Sequence, residues 1–252
     1  MSQLAVRPPS DSFGGGRLSV CATPIGNMDD ASPRVLAELE AADVVYAEDT
    51  RVTRKLFSRH GISTPLERCD EHATARRIPE IVERIGRGEL VAFVSDAGMP
   101  GVSDPGQRVV AAVREAGLPV TVLPGPSAVV TAVAGSGFPA QAFYFGGFLP
   151  RKDGRRRKLL ESLAGLDALL VFYESNHRAA GTARVLAEAF PDRRVCMARE
   201  LTKLYEEYLI LPAGELADEL EARGDSLKGE IAFVIEAPPH EKHAAHVDRY
   251  AQ

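Results

Sequence analysis

The chain has no tryptophan, and aromatic residues make up only 6% of its 252 residues. A binding surface built from many aromatic platforms is therefore poorly supplied. Phe143, Tyr144, Phe145 and Phe148 are the densest set, and core packing explains most of them equally well. The three cysteines, Cys21, Cys69 and Cys196, are far apart and form no C-x-x-C pair. An odd count of scattered thiols excludes a disulfide framework and fits buried thiols in a reducing, cytoplasmic setting. No apolar run approaches the roughly 20 residues of a membrane span, so no membrane partner is expected. Met1–Gly16 carries one arginine and no apolar stretch, and reads as a flexible tail rather than a signal peptide. There is no Walker A pattern, no G-x-G-x-x-G opening a helix and no G-x-S-x-G elbow, which argues against P-loop, dinucleotide and serine-hydrolase chemistry. No H-E-x-x-H and no Cys/His cluster suggests a metal.

What is present is an ordinary globular composition, 45% hydrophobic and 26% charged, with a net charge of −5. An acidic total hides local basic groups. Arg151–Lys158 reads RKDGRRRK, six basic residues against one acid. Arg51, Arg54, Lys55 and Arg59 form a second group without an acid. A solvated helix face explains either run alone, but two in an acidic chain point to a local polyanion site.

Strand and helix patterns alternate through the first half. Apolar runs at Leu18–Ala22, Val44–Ala47, Leu90–Val94 and Val120–Leu123 predict buried strands. Ser32 and Pro33 supply an N-cap and first position for a helix through Val35, Leu36 and Leu39. Ile78, Ile81, Val82 and Ile85 predict a helix ended by Gly86 or Gly88. Val109, Val110 and Val113 predict another, closed by Gly117. This rhythm predicts an α/β fold with a mostly parallel sheet covered on both faces. A Gly/Pro/charged stretch at 146–153 suggests a boundary between an N-terminal domain, 17–146, and a C-terminal one, 147–238, followed by a polar tail. Beyond it come a basic helix, a strand at Ala168–Tyr173 and a helix at Ala179–Phe190. Successive strands at Arg194–Ala198 and Tyr205–Leu211, a helix near Glu215–Ala222 and a strand at Ile231–Ile235 complete a mixed sheet.

The unusual residues collect just after the predicted strands of the first half, where ligands bind in open parallel sheets. TPIGN follows the first, AEDTR the second, SDAGMPGVSDPG the third and PGPSA the fourth. Gly98, Gly101 and Gly106 permit backbone shapes closed to other residues, and Pro100 and Pro105 stiffen the path. Asp96 and Asp104 are acceptors for ribose hydroxyls or an ammonium group, and Ser127 is placed to cap the following helix. One such loop is ordinarily just a well-made turn; four at successive strand ends are not.

Together with FYESNHR and ARELTKLYEE, these motifs resemble, in order and across Leu18–Ala237, the bacterial ribosomal RNA small subunit methyltransferase I family of the tetrapyrrole methylase superfamily. The resemblance implies two α/β domains of a non-Rossmann type that binds S-adenosylmethionine (SAM) in the cleft between them. It implies 2′-O-methylation of a cytidine in small-subunit (16S) rRNA near the decoding site, with naked rRNA or the assembled small subunit as acceptor, and a homodimer. It places SAM against Pro24 and Gly26; Ser95, Asp96, Ala97, Gly98, Gly101, Ser103 and Asp104; Ser127 and Ala128; and Phe172, Tyr173 and Ala198, for which sheet core is an equal reading. Porphyrin and corrin methylases usually carry a Gly-Asp pair in a glycine-rich first loop. TPIGN departs from it, against the alternative of a tetrapyrrole methylase. A second alternative is a non-enzymatic RNA-binding assembly factor, which the intact loops disfavour.

A ribose 2′-hydroxyl is a weak acid, so a base or a cation near it is expected to help. Glu174, His177 and Glu200 are the candidates, with Asp49 and Lys203 behind them; Glu48-Asp49 followed by Arg51 is equally a structural ion pair. His177 has the most suitable ordinary pKa. RNA phosphates are expected on Arg51, Arg54 and Lys55, and on Arg151, Lys152, Arg155, Arg156, Arg157 and Lys158.

Overall fold

The computed structural model describes residues 15–238, apart from Pro105 and Ala140. Both tails, read from the sequence as a flexible leader and a polar end, and Pro105 lie outside the described residues. The chain divides into two compact units, Met1–Ser127 and Ala128–Gln252.

The first unit contains β1 (Arg17–Cys21), α1 (Pro33–Ala41), β2 (Val44–Ala47), α2 (Thr50–His60), β3 (Leu66–Arg68), α3 (Glu71–Gly86), β4 (Leu90–Val94), α4 (Gly106–Glu115) and β5 (Val120–Leu123). Its sheet is parallel throughout, in the order β3-β2-β4-β1-β5. Alternate strand residues feed two separate cores. Val45, Ala47, Ala92 and Val94 pack with Val35 and Leu39 of α1 and Leu56 and Phe57 of α2. Val44, Tyr46, Val91 and Phe93 pack with Ile81 and Ile85 of α3 and Val109 and Val113 of α4. Helices therefore cover both faces, as the near-continuous apolar strands require. The α1 start is the one read from sequence: Ser32 Oγ accepts from the Val35 amide at 3.1 Å with Pro33 in the first turn.

The second unit contains α5 (Ala128–Ser136), β6 (Phe143–Phe148), α6 (Asp153–Leu163), β7 (Leu169–Ser175), α7 (Asn176–Ala189), β8 (Arg194–Arg199), β9 (Glu207–Pro212), α8 (Ala213–Arg223) and β10 (Glu230–Ile235). Its sheet runs β6-β7-β10-β8-β9; β6 and β7 are parallel and the other pairs antiparallel. Leu170, Phe172, Met197 and Phe233 face a core shared with Leu160 of α6, Leu186 of α7 and Leu220 of α8. The unit begins earlier than the 146–153 stretch that composition suggested. The physical reason is that α5 packs on β7, β8, β9 and β10, and that β6, which contains Gly146, pairs with β7.

All three cysteines are buried and unpaired, and burial pushes the Cys196 thiol up to about 12. No helix among the described residues is long and apolar enough to cross a membrane.

One ion pair lies deep in the first unit. Arg17 of β1 donates to Glu38 of α1 at 2.7 Å, with side-chain exposures of 4% and 0%, and Ser19 donates to the same carboxylate oxygen. Removing one partner strands a buried charge. We expect Glu38→Ala to cost about 3 kcal/mol in urea unfolding, and the Arg17→Met/Glu38→Leu double variant to recover most of that loss. An equal loss in both variants would show that the pair itself stabilises the fold.

Candidate functional site

The connection leaving β1 travels toward β2, and the one leaving β4 travels toward β5. These adjacent strands send their chains to opposite faces of the sheet, β1 to that of α1 and β4 to that of α4, and it is beyond such strand ends that open α/β sheets bind ligands. The loops are nevertheless tied. Thr23 and Gly98 exchange two backbone hydrogen bonds, of 2.9 and 3.0 Å, and the Thr23 hydroxyl donates to the Ser95 carbonyl at 3.1 Å. Gly98 has φ +80°, and a Cβ there would lie 3.3 Å from the Ile25 side chain and 3.5 Å from the Pro126 carbonyl. The β5 loop crosses so near that a Cβ on Gly125 would stand 2.8 Å from the Ala22 Cβ. Three loops thus meet through glycine at two points, leaving a floor of backbone rather than side chains.

Within this set Pro24 and Ser95 are buried, Gly26 and Ala97 exposed, and Gly101 and Ser103 take positive φ of 91° and 67°. Asp104 is spent on its own loop, where its Oδ1 accepts from the Gly101 amide at 2.7 Å and the Gly106 amide at 2.8 Å. Asp96 Oδ1 accepts from the Asp49 amide at 2.8 Å, joining the β4 loop to the β2 loop. Asp49 caps α2 through the Arg51 amide and pairs with the Arg51 side chain at 2.5 Å, so the structural reading of that pair holds. Arg51 holds its carboxyl low, at about 2. Burial raises the Asp96 carboxyl. It also raises Glu48, with repulsion from Asp96 and Asp104 adding to it. Such crowding of carboxylates suits a cationic ligand. Sequence reasoning left Thr23 and Glu48 out of the site; their only signal was membership of the TPIGN and AEDTR motifs.

Ser127 ends the first unit and Ala128 begins α5. In the second unit the expected trio separates. Tyr173 is half-buried, and burial pushes its hydroxyl up to about 12. Ala198 is buried in β8. Phe172, adjacent to Tyr173 on a strand, points to the opposite face, and its ring is wholly in the α6–α7–α8 core. Only its backbone is left for a ligand.

The acid–base candidates also differ. Glu174 is buried, and both carboxylate oxygens are taken. Oε1 accepts from the Ser175 amide at 2.9 Å; Oε2 accepts from the Thr182 hydroxyl at 2.7 Å and lies 3.1 Å from Arg178. Glu200 sits at φ +50°, and its Oε1 accepts from Lys203 Nζ at 2.8 Å and the Glu230 amide at 3.0 Å. Burial opposes the shift, yet Lys203 and that amide hold the Glu200 carboxyl below the usual range. His177 is exposed in the first turn of α7.

Of the basic groups, Arg51, Arg54 and Lys55 all lie exposed on the outer face of α2. Arg54 and Lys55 enter no ion pair among the described residues. The Arg151–Lys158 run is not uniform. Arg151, Lys152, Arg155 and Lys158 are exposed. Arg156 is a correction to the expected phosphate set: it is buried, donating to Thr182 at 2.9 Å and pairing with Asp153. Arg157 is half-buried and paired with Glu188.

A family model described as Tetrapyrrole (Corrin/Porphyrin) Methylases matches residues 17–217. The chain is 43% identical to a protein named ribosomal RNA small subunit methyltransferase I from Neisseria meningitidis serogroup B, over 96% of this chain and 84% of that one. It is 43% identical to the protein of the same name from Thermotoga maritima, over 87% of this chain and 98% of that one. Among solved structures, uroporphyrin-III C-methyl transferase from Thermus thermophilus, complexed with S-adenyl homocysteine, is similar in fold, with TM-score 0.61 and 18% identity over 88% and 97% of the two chains.

Asp104 gives the loop geometry a direct test. Asp104→Ala removes the acceptor for two amides and should lower stability by about 2 kcal/mol, with faster proteolytic cutting between Gly98 and Gly106. Asp104→Asn keeps an oxygen at that position and should restore most of the protection. Equal cutting of all three proteins would mean the staple does not order the loop.

Proposed function

The chain belongs to the ribosomal RNA small subunit methyltransferase I family, within the tetrapyrrole methylases, and on that premise we propose that it methylates small-subunit rRNA from SAM, at the ribose 2′-oxygen of a cytidine near the decoding site. The observation that carries the reading is the set of tied loops beyond β1 and β4, in a chain 43% identical to relatives bearing that name over 84% and 98% of their lengths. The residues present fit SAM. Gly98 and Gly125 let the three loops close on Ile25, Pro126 and Ala22 and so fix their backbones, and Glu48 and Asp96 gather negative charge suited to a sulfonium and an ammonium group. The Thermus neighbour of the same fold holds S-adenyl homocysteine, a further support. The corrin and porphyrin methylases of solved structure are similar at 22% identity or less, a likeness of fold that brings no tetrapyrrole substrate to this chain.

When bound, SAM supplies a methyl group activated by its sulfonium. What the chain contributes is alignment, since orientation supplies much of the rate in reactions of this kind. Pro24, Gly26, Ser95, Ala97, Gly98, Gly101, Ser103 and Ser127 shape the first unit's wall for the cofactor in the proposal. Asp104 holds its own loop, and Asp96 ties that loop to α2. Glu174 and Glu200 are committed to partners and do not take the hydroxyl proton, which passes to solvent. Exposed Arg54 and Lys55 on α2 meet RNA phosphates. The enzyme acts in the cytoplasm, on naked rRNA or the assembled small subunit, as a homodimer.

Labelled SAM, offered with isolated small subunits or naked rRNA, should leave label at one cytidine in a linkage resistant to alkali. Label on a base, or transfer to a porphyrinoid and none to RNA, would overturn the acceptor assignment. Glu200→Gln should keep kcat within a few-fold of wild type; a fall of about a hundredfold or more, the range of general-base catalysis, would make Glu200 the base instead.

A further inference from the structure

A cavity of about 620 Å³ lies in the second unit where β6 ends, α6 begins and α7 starts. Its volume is in the range that takes a small organic ligand or a nucleotide. Its wall is basic. Arg151, Arg156, His177 and Arg178 all line it, and the carboxylate among them, Glu174, is consumed by Arg178, Thr182 and the Ser175 amide. Arg156 is balanced by Asp153, while Arg151 and His177 enter no ion pair among the described residues. The lining therefore carries an excess of positive charge.

Two observations point to a ligand rather than a solvated face. Arg156 is more than nine-tenths buried, yet its Nε–H has no acceptor among the described residues. That nitrogen is closed off from the cavity too, so Arg156 acts on a ligand there through its partly desolvated charge and not through a new hydrogen bond. The first turn of α7, a helix of 14 residues, opens on the same wall, and its N-cap residue Ser175 makes no side-chain cap hydrogen bond. The helix start adds its dipole to the side-chain charge. At the rim stands Phe148, 61% exposed, with Tyr173 edge-on at 5.5 Å between ring centroids. An exposed ring beside a phosphate-sized cluster of cations is the pairing that single-stranded nucleic acid uses, base on ring and backbone on charge. Gly181 of α7 also lines the cavity, at an exposed position where an added side chain would meet no neighbour within 4 Å.

We propose that this cavity seats one nucleotide of a single-stranded segment of the RNA acceptor, its phosphate against Arg151, His177 and Arg178 and its base on Phe148. The assignment rests on the RNA reading above and adds a place for the acceptor in the second unit. It also gives His177 a binding role instead of a proton-transfer one.

Gly181→Leu sets a bulky side chain at the edge of the cavity and replaces a helical glycine, so the thermal midpoint should hold or rise. Affinity for a short fluorescent single-stranded RNA, read by anisotropy, should fall about tenfold, and SAM binding by calorimetry should be unchanged. Phe148→Ala should weaken the same RNA about tenfold, as loss of one stacked base does. Arg151→Ala should lower the slope of log affinity against log salt by about one. Unchanged RNA affinity in Gly181→Leu and Phe148→Ala, in a wild-type protein that still methylates rRNA, overturns the cavity assignment alone. Competition by inorganic phosphate that disappears in Gly181→Leu while RNA affinity does not change makes it a free-anion site and likewise overturns it. No RNA binding and no transfer to rRNA by the wild-type protein overturns the functional reading and the cavity assignment together.

Discussion

Two backbone hydrogen bonds between Thr23 and Gly98 hold the first unit's site together. In a parallel sheet whose adjacent strands send their chains apart, the loops beyond them have no ladder partners of their own, and a crevice left to itself is mobile. The bridge is antiparallel where β1 and β4 pair in parallel, so it is a separate tie past the end of the sheet that fixes the depth at which each loop turns. Its geometry then dictates residue types. The bridging position in the β4 loop must adopt a positive φ against Ile25 and Pro126, so it is glycine. The β5 loop must clear the end of β1, so Gly125 stands opposite Ala22. The remaining polar side chains serve the same end: Asp104 and Asp96 spend oxygen atoms on loop amides. The rigidity is backbone rigidity, which lowers the entropic cost of holding one ligand geometry.

A net charge of −5 hides a division of labour. The carboxylates Glu48, Asp49, Asp96 and Asp104 gather at the strand ends of the first unit, where burial, with repulsion from Asp96 and Asp104 added, raises the Glu48 carboxyl. The cations Arg151, Arg156 and Arg178 gather at the start of α7 in the second. Each concentration lies on partly desolvated walls, where charge acts more strongly than it does in water. A cationic sulfonium compound and a phosphodiester chain are opposite in charge, and a protein that handles both needs such a segregation more than it needs a basic total. The composition-level objection to an RNA substrate therefore loses its force once the charges are placed.

Much of the fold was legible because burial writes itself into parallel strands. β2, β4 and β5 were bounded from apolar runs alone, and Ser32-Pro33 marked the start of α1. The elements that escaped have physical reasons. β3 is Leu-Glu-Arg, a short edge strand pairing only with β2, with no apolar alternation to notice. α2 carries five exposed polar or charged residues and shows its inner face only as Thr53, Leu56 and Phe57, so it registered as a basic group rather than a helix. β6 contains Gly146 and Gly147 and breaks register with β7 between Phe145 and Phe148, which made a strand look like a linker and moved the boundary. Of the site, the loops were legible from glycine and proline. The ties between them were not, since the partner of Gly98 lies 75 positions away in sequence at Thr23.

The basic run shows why residue type alone does not assign a binding role. Along α6 the inward face recurs every four residues, and Arg156 and Leu160 share it. Arg156 is therefore drawn inward by the same periodicity that buries Leu160, and it takes Thr182 and Asp153 as partners, while Arg155 and Lys158 turn outward. Arg157 falls between and pairs with Glu188 of α7. A charge reversal across Arg155–Arg157 would change an exposed cation, a buried hydrogen-bonding network and an interhelical ion pair at once. A loss of RNA affinity in that variant would not separate contact from collapse of the wall that Arg156 supports. The outward residues report the electrostatics of binding, the inward one reports the architecture of the cavity, and only substitutions that respect the helical phase tell the two apart.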